Sequence, residues 1–264
     1  MIVILGGTGA YFLDLAAELG PGEYRSMATP YGPAGSIYVP ERWQGRIGLA
    51  SRHGWGRLEV SPPFVNSRAN IWAARELGAT DVLSWNGVGA INPLLQVHDL
   101  VVLDGVLNGT KTRPTSFAGG LAGPDDWRRV QRPFDAALSA QVLAVASQGQ
   151  PRTFAGGIYA CSEGPRLETA AEIAAWRRFG AAVVGMTLVP EVLLAHELGL
   201  CFAALAYVTN YATGVEPAPG APRFFGVEVA QRCLGILSAV AESRGSGDIS
   251  GSAGDATPPV NTQV

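Results

Sequence analysis

Apolar runs of five to nine residues recur along the chain and alternate with segments whose apolar positions fall three and four apart. The runs MIVIL (1–5), RIGLAS (46–51), DVLSW (81–85), LVVLDG (100–105), AAVVGM (181–186) and CFAALAYVT (201–209) predict strands. NSRANIWAARELG (66–78) carries Ile71, Ala74 and Leu77 at helical spacing, with Gly78 placed to end the helix. ETAAEIAAWRRFG (168–180) repeats that design with Ile173, Trp176 and Phe179. PEVLLAHELGL (190–200) has Pro190 where a first helical turn tolerates it. VEVAQRCLGILSAVAES (227–243) aligns Ala230, Cys233, Leu234, Leu237 and Val240 on one side. Strands alternating with helices predict an α/β fold, a single-domain mixed β-sheet flanked by helices over residues 1–243. Residues 244–264, poor in bulky apolar side chains and rich in Gly, Ser, Asp and Pro, read as a disordered tail. The stretches 110–127 and 211–225 read as long surface loops of the kind that carry sites.

Composition narrows the function. With 264 residues, 47% hydrophobic and 16% charged, the chain can bury one large core. A net charge of −3 supplies no basic field for a nucleic-acid backbone, which favours a small substrate and no nucleic-acid partner. No run reaches the apolar length of a membrane span and the start carries no basic leader, so a cytoplasmic protein without membrane contact is expected. Three widely spaced cysteines, Cys161, Cys201 and Cys233, fit reduced thiols better than a disulfide framework.

The candidate chemistry gathers at strand ends, where α/β sheets bind ligands. The turn GGTG (6–9) comes after the first strand as a dinucleotide-binding turn would, but the third glycine of that pattern would fall at Phe12. No acidic residue ends a clear second strand about 20 residues on, as a ribose partner would. A single phosphate suits the turn's N–H groups and the Thr8 hydroxyl; an unliganded tight turn is the plain alternative. Arg52 and His53 end the second run and offer a guanidinium beside an imidazole, or simply a solvated strand end. Asn86, Gly87, Met186, Thr187 and Asn210 stand at three further strand ends.

Taken together, GGTG (6–9), RHG (52–54), VNSRANIWAARELG (65–78), RPTSF (113–117), GIYACSEGPRLETAAE (157–172), GMTLVPEVLLAHELGL (185–200) and VTNYATG (208–214) resemble the trimeric purine nucleoside phosphorylase and 5′-methylthioadenosine phosphorylase family over residues 1–242. The resemblance implies cleavage of a purine nucleoside by inorganic phosphate to free base and a ribose 1-phosphate. It implies no metal and no organic cofactor, phosphate being a co-substrate, and a homotrimer. Carried over position by position, Thr8, Arg52, His53, Asn86, Gly87 and Thr187 fall where the family binds phosphate, and Met186 where it packs the ribose. Leu167, Glu168, Asn210 and Ala212 fall at the purine pocket, with Glu168, Asn210 and His53 as the catalytic candidates. Phe225 and Val227, beside Phe224, fall at the 5′ end of the sugar, and Trp127 where a neighbouring protomer closes the pocket.

The base pocket carries a finer expectation. Methylthioadenosine-cleaving members have two Asp residues where this chain has Asn210 and Ala212. A carboxylate at Glu168 can accept the N1–H of a 6-oxopurine but meets adenine's N1 acceptor to acceptor. The pattern is closest to the 5′-methylthioinosine branch; a methylthioadenosine phosphorylase and a non-catalytic nucleoside-binding paralogue are the alternatives. The family's second histidine is replaced by Arg57, an Asp by Asn108, and a common Thr by Asn86. A nicotinamide-dependent enzyme is disfavoured by Phe12.

Overall fold

The computed structural model describes residues 1–118, 130–149, 152–217, 220 and 228–246. The strands are β1 (Ile2–Gly6), β2 (Gly22–Arg25), β3 (Ala28–Thr29), β4 (Gly32–Pro33), β5 (Ile37–Pro40), β6 (Ile47–Ser51), β7 (Asp81–Ala90), β8 (Leu100–Val102), β9 (Gly105–Asn108), β10 (Thr153–Ala155), β11 (Ile158–Cys161), β12 (Ala181–Gly185) and β13 (Cys201–Tyr211). The helices are α1 (Leu15–Leu19), α2 (Ser67–Glu76), α3 (Ala136–Ala146), α4 (Ala170–Arg178), α5 (Leu188–Glu197) and α6 (Glu228–Ser246).

One mixed sheet runs β10-β8-β13-β7-β1-β6-β5-β2, and β9, β11 and β12 join it where β12 pairs antiparallel with the end of β7. At its centre β6, β1, β7 and β13 are parallel, so their carboxyl ends open on the same side. Strand alternation divides the core between the two faces. Val3, Leu5 and Val82 pack with Ile71 of α2 and Val192 of α5. Ile4, Leu83 and Trp85 pack with Leu138 of α3 and Leu234 and Leu237 of α6. Burying a side chain of the Leu or Val class stabilises by about 1.5–3 kcal/mol, which is how the stripe on α6 holds that helix to the sheet. A third cluster, Ile91, Ala160, Ile173, Val184 and Ala212, lies beneath α4.

The helix starts are set by local chemistry. Asn66 caps α2 through Ala69 N–H, Asp135 caps α3 through Leu138 N–H, and Thr169 and Glu172 form a reciprocal capping box on α4. In α5 the backbone of Val189 is not helical, and the regular helix begins at Pro190.

Three differences from the sequence expectations have physical causes. LVVLDG is not one strand. Asp104 turns the chain between β8 and β9, its carboxylate accepting Gly157 N–H at 2.9 Å. β7 and β13 run on to Ala90 and Tyr211, past the expected ends, and bend where the pairing register shifts between Val208 and Asn210. Helix α6 continues to Ser246, three residues into the expected tail; the rest of that tail and much of the two expected site loops lie outside the described residues. All three cysteines are free, and burial pushes the Cys161 thiol up to about 12. Among the described residues no helix is long and apolar enough to cross a membrane.

Candidate active site

The ends of β1, β6, β7, β12 and β13 converge on one cavity, lined among others by Thr8, His53, Gly87, Leu167, Glu168, Met186, Thr187 and Asn210. Its floor is the GGTG turn. A side chain at Gly7 would stand 2.6 Å from the carbonyl oxygen of Trp85, and one at Gly9, whose φ is +89°, would stand 2.8 Å from Ala230 Cβ. These glycines let the turn press against β7 and α6. The chain leaves the turn through a single 3-10 turn, Ala10–Phe12, and not through the long helix of a dinucleotide-binding unit. Tyr207 donates its hydroxyl to the Thr8 carbonyl and so fixes the turn from below.

His53 forms the next wall. Its Nδ1 lies 2.8 Å from the Val60 carbonyl, which can only accept, so Nδ1 carries the hydrogen and Nε2 holds the lone pair of the neutral ring. Burial first, and the neighbouring Arg52 charge next, lower its pKa from the ordinary value, partly offset by the Val60 hydrogen bond.

Arg52 itself is turned away. Its Nε and Nη2 bond the Glu191 carboxylate at 2.7 Å, Nη1 bonds the carbonyls of Leu5 and Trp85, and Nη2 also donates to Ser84 Oγ at 2.8 Å. Every N–H of the guanidinium is thereby used inside the protein. Asn86 is also behind the wall, 1% exposed, with Nδ2 donating to Thr187 Oγ1 at 3.2 Å. Of the expected phosphate ligands, the structure therefore presents Thr8, His53, Gly87 and Thr187 to the cavity and holds the Arg52 and Asn86 side chains beneath it.

The opposite wall comes from the turn before α4 and from the end of β13. Ser162 donates to Glu168 Oε1 at 2.5 Å, leaving Oε2 without that partner. Asn210, just past the register shift in β13, accepts from Thr209 Oγ1 at 2.7 Å and donates to the Tyr211 carbonyl at 3.0 Å, with one amide hydrogen remaining. Leu167 is 66% exposed at the rim. Ala212 does not line the cavity; it packs with Ile91 and Val184 beneath it. Trp127, Phe224, Phe225 and Val227 lie outside the described residues.

Several residues that hold this site have no role predicted from the sequence. Arg113 bonds the carbonyls of Met186, Val189 and Glu163 and pairs with the Glu163 carboxylate at 3.5 Å, tying the Met186 strand end to the segment leading to Glu168. Glu191, Ser84 and Ser162 also stand behind the walls. Arg113, Ser162 and Glu191 sit inside the motifs RPTSF, GIYACSEGPRLETAAE and GMTLVPEVLLAHELGL, and Ser84 inside the run DVLSW, which is the signal the sequence offers for them. A larger cavity of about 510 Å³ is lined by His98, Asp99, Arg152 and Glu228, but Arg152 and Asp99 already close on each other at 2.6 Å. Among the described residues no group of three His, Cys, Asp or Glu side chains is arranged to hold a metal.

The profile of the Phosphorylase superfamily matches residues 1–242. The chain belongs to the phosphorylase superfamily. It is 40% identical over 221 residues to the 6-oxopurine nucleoside phosphorylase of Pyrococcus furiosus, covering 81% of each chain. It is 38% identical over 219 residues to a probable S-methyl-5′-thioinosine phosphorylase of Methanothermobacter thermautotrophicus, covering 83% of this chain and 74% of that one. Among solved structures, a methylthioadenosine phosphorylase from an antarctic soil metagenomic library superposes with a TM-score of 0.76 at 26% identity, over 92% of this chain and 86% of that one. The mixed sheet flanked by helices is thus the fold of this phosphorylase's family.

Proposed function

We propose that this phosphorylase cleaves the N-glycosidic bond of 6-oxopurine nucleosides with inorganic phosphate, releasing the free purine and a ribose 1-phosphate. The observation that carries the reading is the Glu168 carboxylate, buried on the wall facing Asn210 in the same cavity as the Thr8 and Thr187 hydroxyls and His53. One carboxylate oxygen is occupied by Ser162, and the other accepts the N1–H of hypoxanthine or guanine. Adenine offers a lone pair at that atom, so its nucleosides meet an unpaired acceptor, a mismatch that discriminates by orders of magnitude.

The chemistry is set by the opposed walls. Hydrogen phosphate, held by the Thr8 turn, the Gly87 backbone and Thr187, is aimed at the anomeric carbon, the proximity doing much of the work. The C–N bond breaks ahead of C–O formation, leaving an oxocarbenium-like sugar that the phosphate charge stabilises. The electron pair of the broken bond goes to the purine, where the remaining Asn210 amide hydrogen stabilises it while Glu168 holds the base in place through N1–H. The proton lost from hydrogen phosphate balances the charge on the departing base. Neutral His53, its Nε2 a lone-pair acceptor, suits hydrogen phosphate's own proton.

A 5′-methylthio substituent on the sugar is the second reading, favoured by the thioinosine phosphorylase relative. Homotrimeric assembly, a cytoplasmic setting and the absence of any cofactor besides phosphate belong to the same proposal. Purified protein incubated with inosine, 5′-methylthioinosine and 5′-methylthioadenosine, with and without phosphate, tests it. Phosphate-dependent release of hypoxanthine is the expected result; release of adenine alone overturns the reading of the base pocket.

A further inference from the structure

Arg52, Ser84, Asn86 and Thr187 form a buried line of polar side chains from the core to the anion wall. Arg52 Nη2 lies 2.8 Å from Ser84 Oγ, Ser84 Oγ 2.8 Å from Asn86 Oδ1, and Asn86 Nδ2 3.2 Å from Thr187 Oγ1. A guanidinium can only donate, so it takes a lone pair of Ser84 and sends the serine's single hydrogen onward. That hydrogen needs an acceptor, and the only acceptor on the Asn86 side chain is its oxygen. The Asn86 NH2 is therefore turned toward Thr187, whose oxygen accepts. Each link forces the next in one direction.

The end of the line is the cavity. Thr187 precedes helix α5 but does not cap it, so its hydroxyl is not engaged with the helix backbone. With Asn86 occupying one of its lone pairs, its hydrogen is left to point into the cavity it lines. Were Asn86 rotated by half a turn, Thr187 would spend its hydrogen on the amide oxygen and present lone pairs to an anion. The Glu191 carboxylate, 0% exposed and 2.7 Å from Arg52 Nη2, cancels the guanidinium charge and fixes its plane.

We propose that the Arg52–Glu191 pair, acting through Ser84 and Asn86, is a positioning device that makes the Thr187 hydroxyl a hydrogen-bond donor to phosphate. Arg52 thus serves the anion by setting the polarity of a neutral hydroxyl, without touching it. This rests on the phosphorolytic reading of the cavity for its ligand, but its test reads phosphate binding directly.

Inorganic phosphate binding to the full chain is measured by calorimetry, together with KM for phosphate and for inosine, in wild type, Ser84→Ala, Ser84→Thr, Asn86→Asp, Thr187→Val and the Ser84→Ala/Thr187→Val double variant. Ser84→Ala weakens phosphate about 10-fold, the scale of one lost hydrogen bond to an ion, with the inosine KM unchanged, and Ser84→Thr, which keeps the hydroxyl, restores it. Asn86→Asp keeps the acceptor for Ser84 but offers Thr187 an oxygen, and weakens phosphate more than Ser84→Ala does. The double variant binds phosphate no worse than Thr187→Val alone, because Ser84 acts only through that hydroxyl. Lower melting temperature with unchanged phosphate affinity in Ser84→Ala, or additive losses in the double variant, overturns the proposal. If Ser84→Ala does not fold, Asn86→Asp against Thr187→Val decides alone: phosphate affinity equal to wild type in Asn86→Asp is the refuting result. A wild type that binds phosphate but releases no base defeats the phosphorolytic reading while leaving this inference to be judged on affinity.

Discussion

Glu168→Gln exchanges one oxygen for a nitrogen at nearly constant volume, and its effect is decided by what Ser162 allows. In the native site Ser162 Oγ donates to Glu168 Oε1 at 2.5 Å. In the variant the serine hydrogen still needs an acceptor, and the amide oxygen is the only one the new side chain offers. The NH2 group then stands where the free carboxylate oxygen stood. Against a 6-oxopurine this sets donor against donor; against adenine it makes a hydrogen bond. The competing orientation requires Ser162 to turn to the Gly185 carbonyl, 3.4 Å away and already accepting Ser162 N–H at 2.8 Å, which is the weaker bond. Losing a hydrogen bond to a charged group costs about 1.5–3 kcal/mol, and about 1.4 kcal/mol is a factor of ten. The kcat/KM for inosine therefore falls about 10- to 150-fold while that for adenosine holds or rises. The assay is phosphate-dependent release of hypoxanthine and of adenine at subsaturating nucleoside. Equal losses for the two substrates would refute the assignment of Glu168 to N1.

Glu191→Ala leaves the Arg52 charge buried without its partner and destabilises the fold by about 3–5 kcal/mol in urea denaturation; Arg52→Met with Glu191→Leu recovers much of that loss. For His53 the folded state binds the proton less readily than the unfolded chain, whose pKa is near 6.5. The unfolded chain is protonated first as pH falls through that value, so stability is lost on the acid side. The melting-temperature advantage of wild type over His53→Gln accordingly shrinks from pH 8 toward pH 5. Gly9→Ala forces a side chain into a φ of +89° and to 2.8 Å from Ala230 Cβ, and lowers stability by about 1–3 kcal/mol. Arg113→Met frees the Met186 and Glu163 carbonyls and raises KM for the nucleoside more than for phosphate, read from initial rates.

Local signals in the chain foretold much of this architecture, and the features they missed are those set by distant partners. The missing glycine at Phe12 pointed away from a dinucleotide, and the 3-10 turn after GGTG is the structural counterpart of that absence. The helices with clear stripes and glycine stops, α2 and α4, lie within their expected segments. Helix α3, AALSAQVLAVA, has no periodic signature in the sequence because small and apolar residues cover it on all sides and leave no contrasting stripe. Arg52 looked like an anion ligand from its place after a strand; its partner Glu191 is 139 residues away, and no spacing rule reaches that far. In the sequence Asn86 marks a strand end because the apolar run stops at DVLSW, whereas the Gly87 and Gly89 positions let β7 continue beneath the cavity to Ala90.

The neutralised Arg52 also bears on the life of the nucleophile. Phosphate is consumed in each turnover and has to depart as an ester of the product sugar. Among the described residues lining the cavity there is no lysine or arginine. On the proposed reading, these walls offer the anion hydroxyls and backbone dipoles, whose hold water can replace as the ester leaves. A free guanidinium at the same wall would hold the product by its charge and tend to convert fast exchange into slow release. Sequestering that charge one layer down lets the site lend its phosphate to the reaction instead of keeping it.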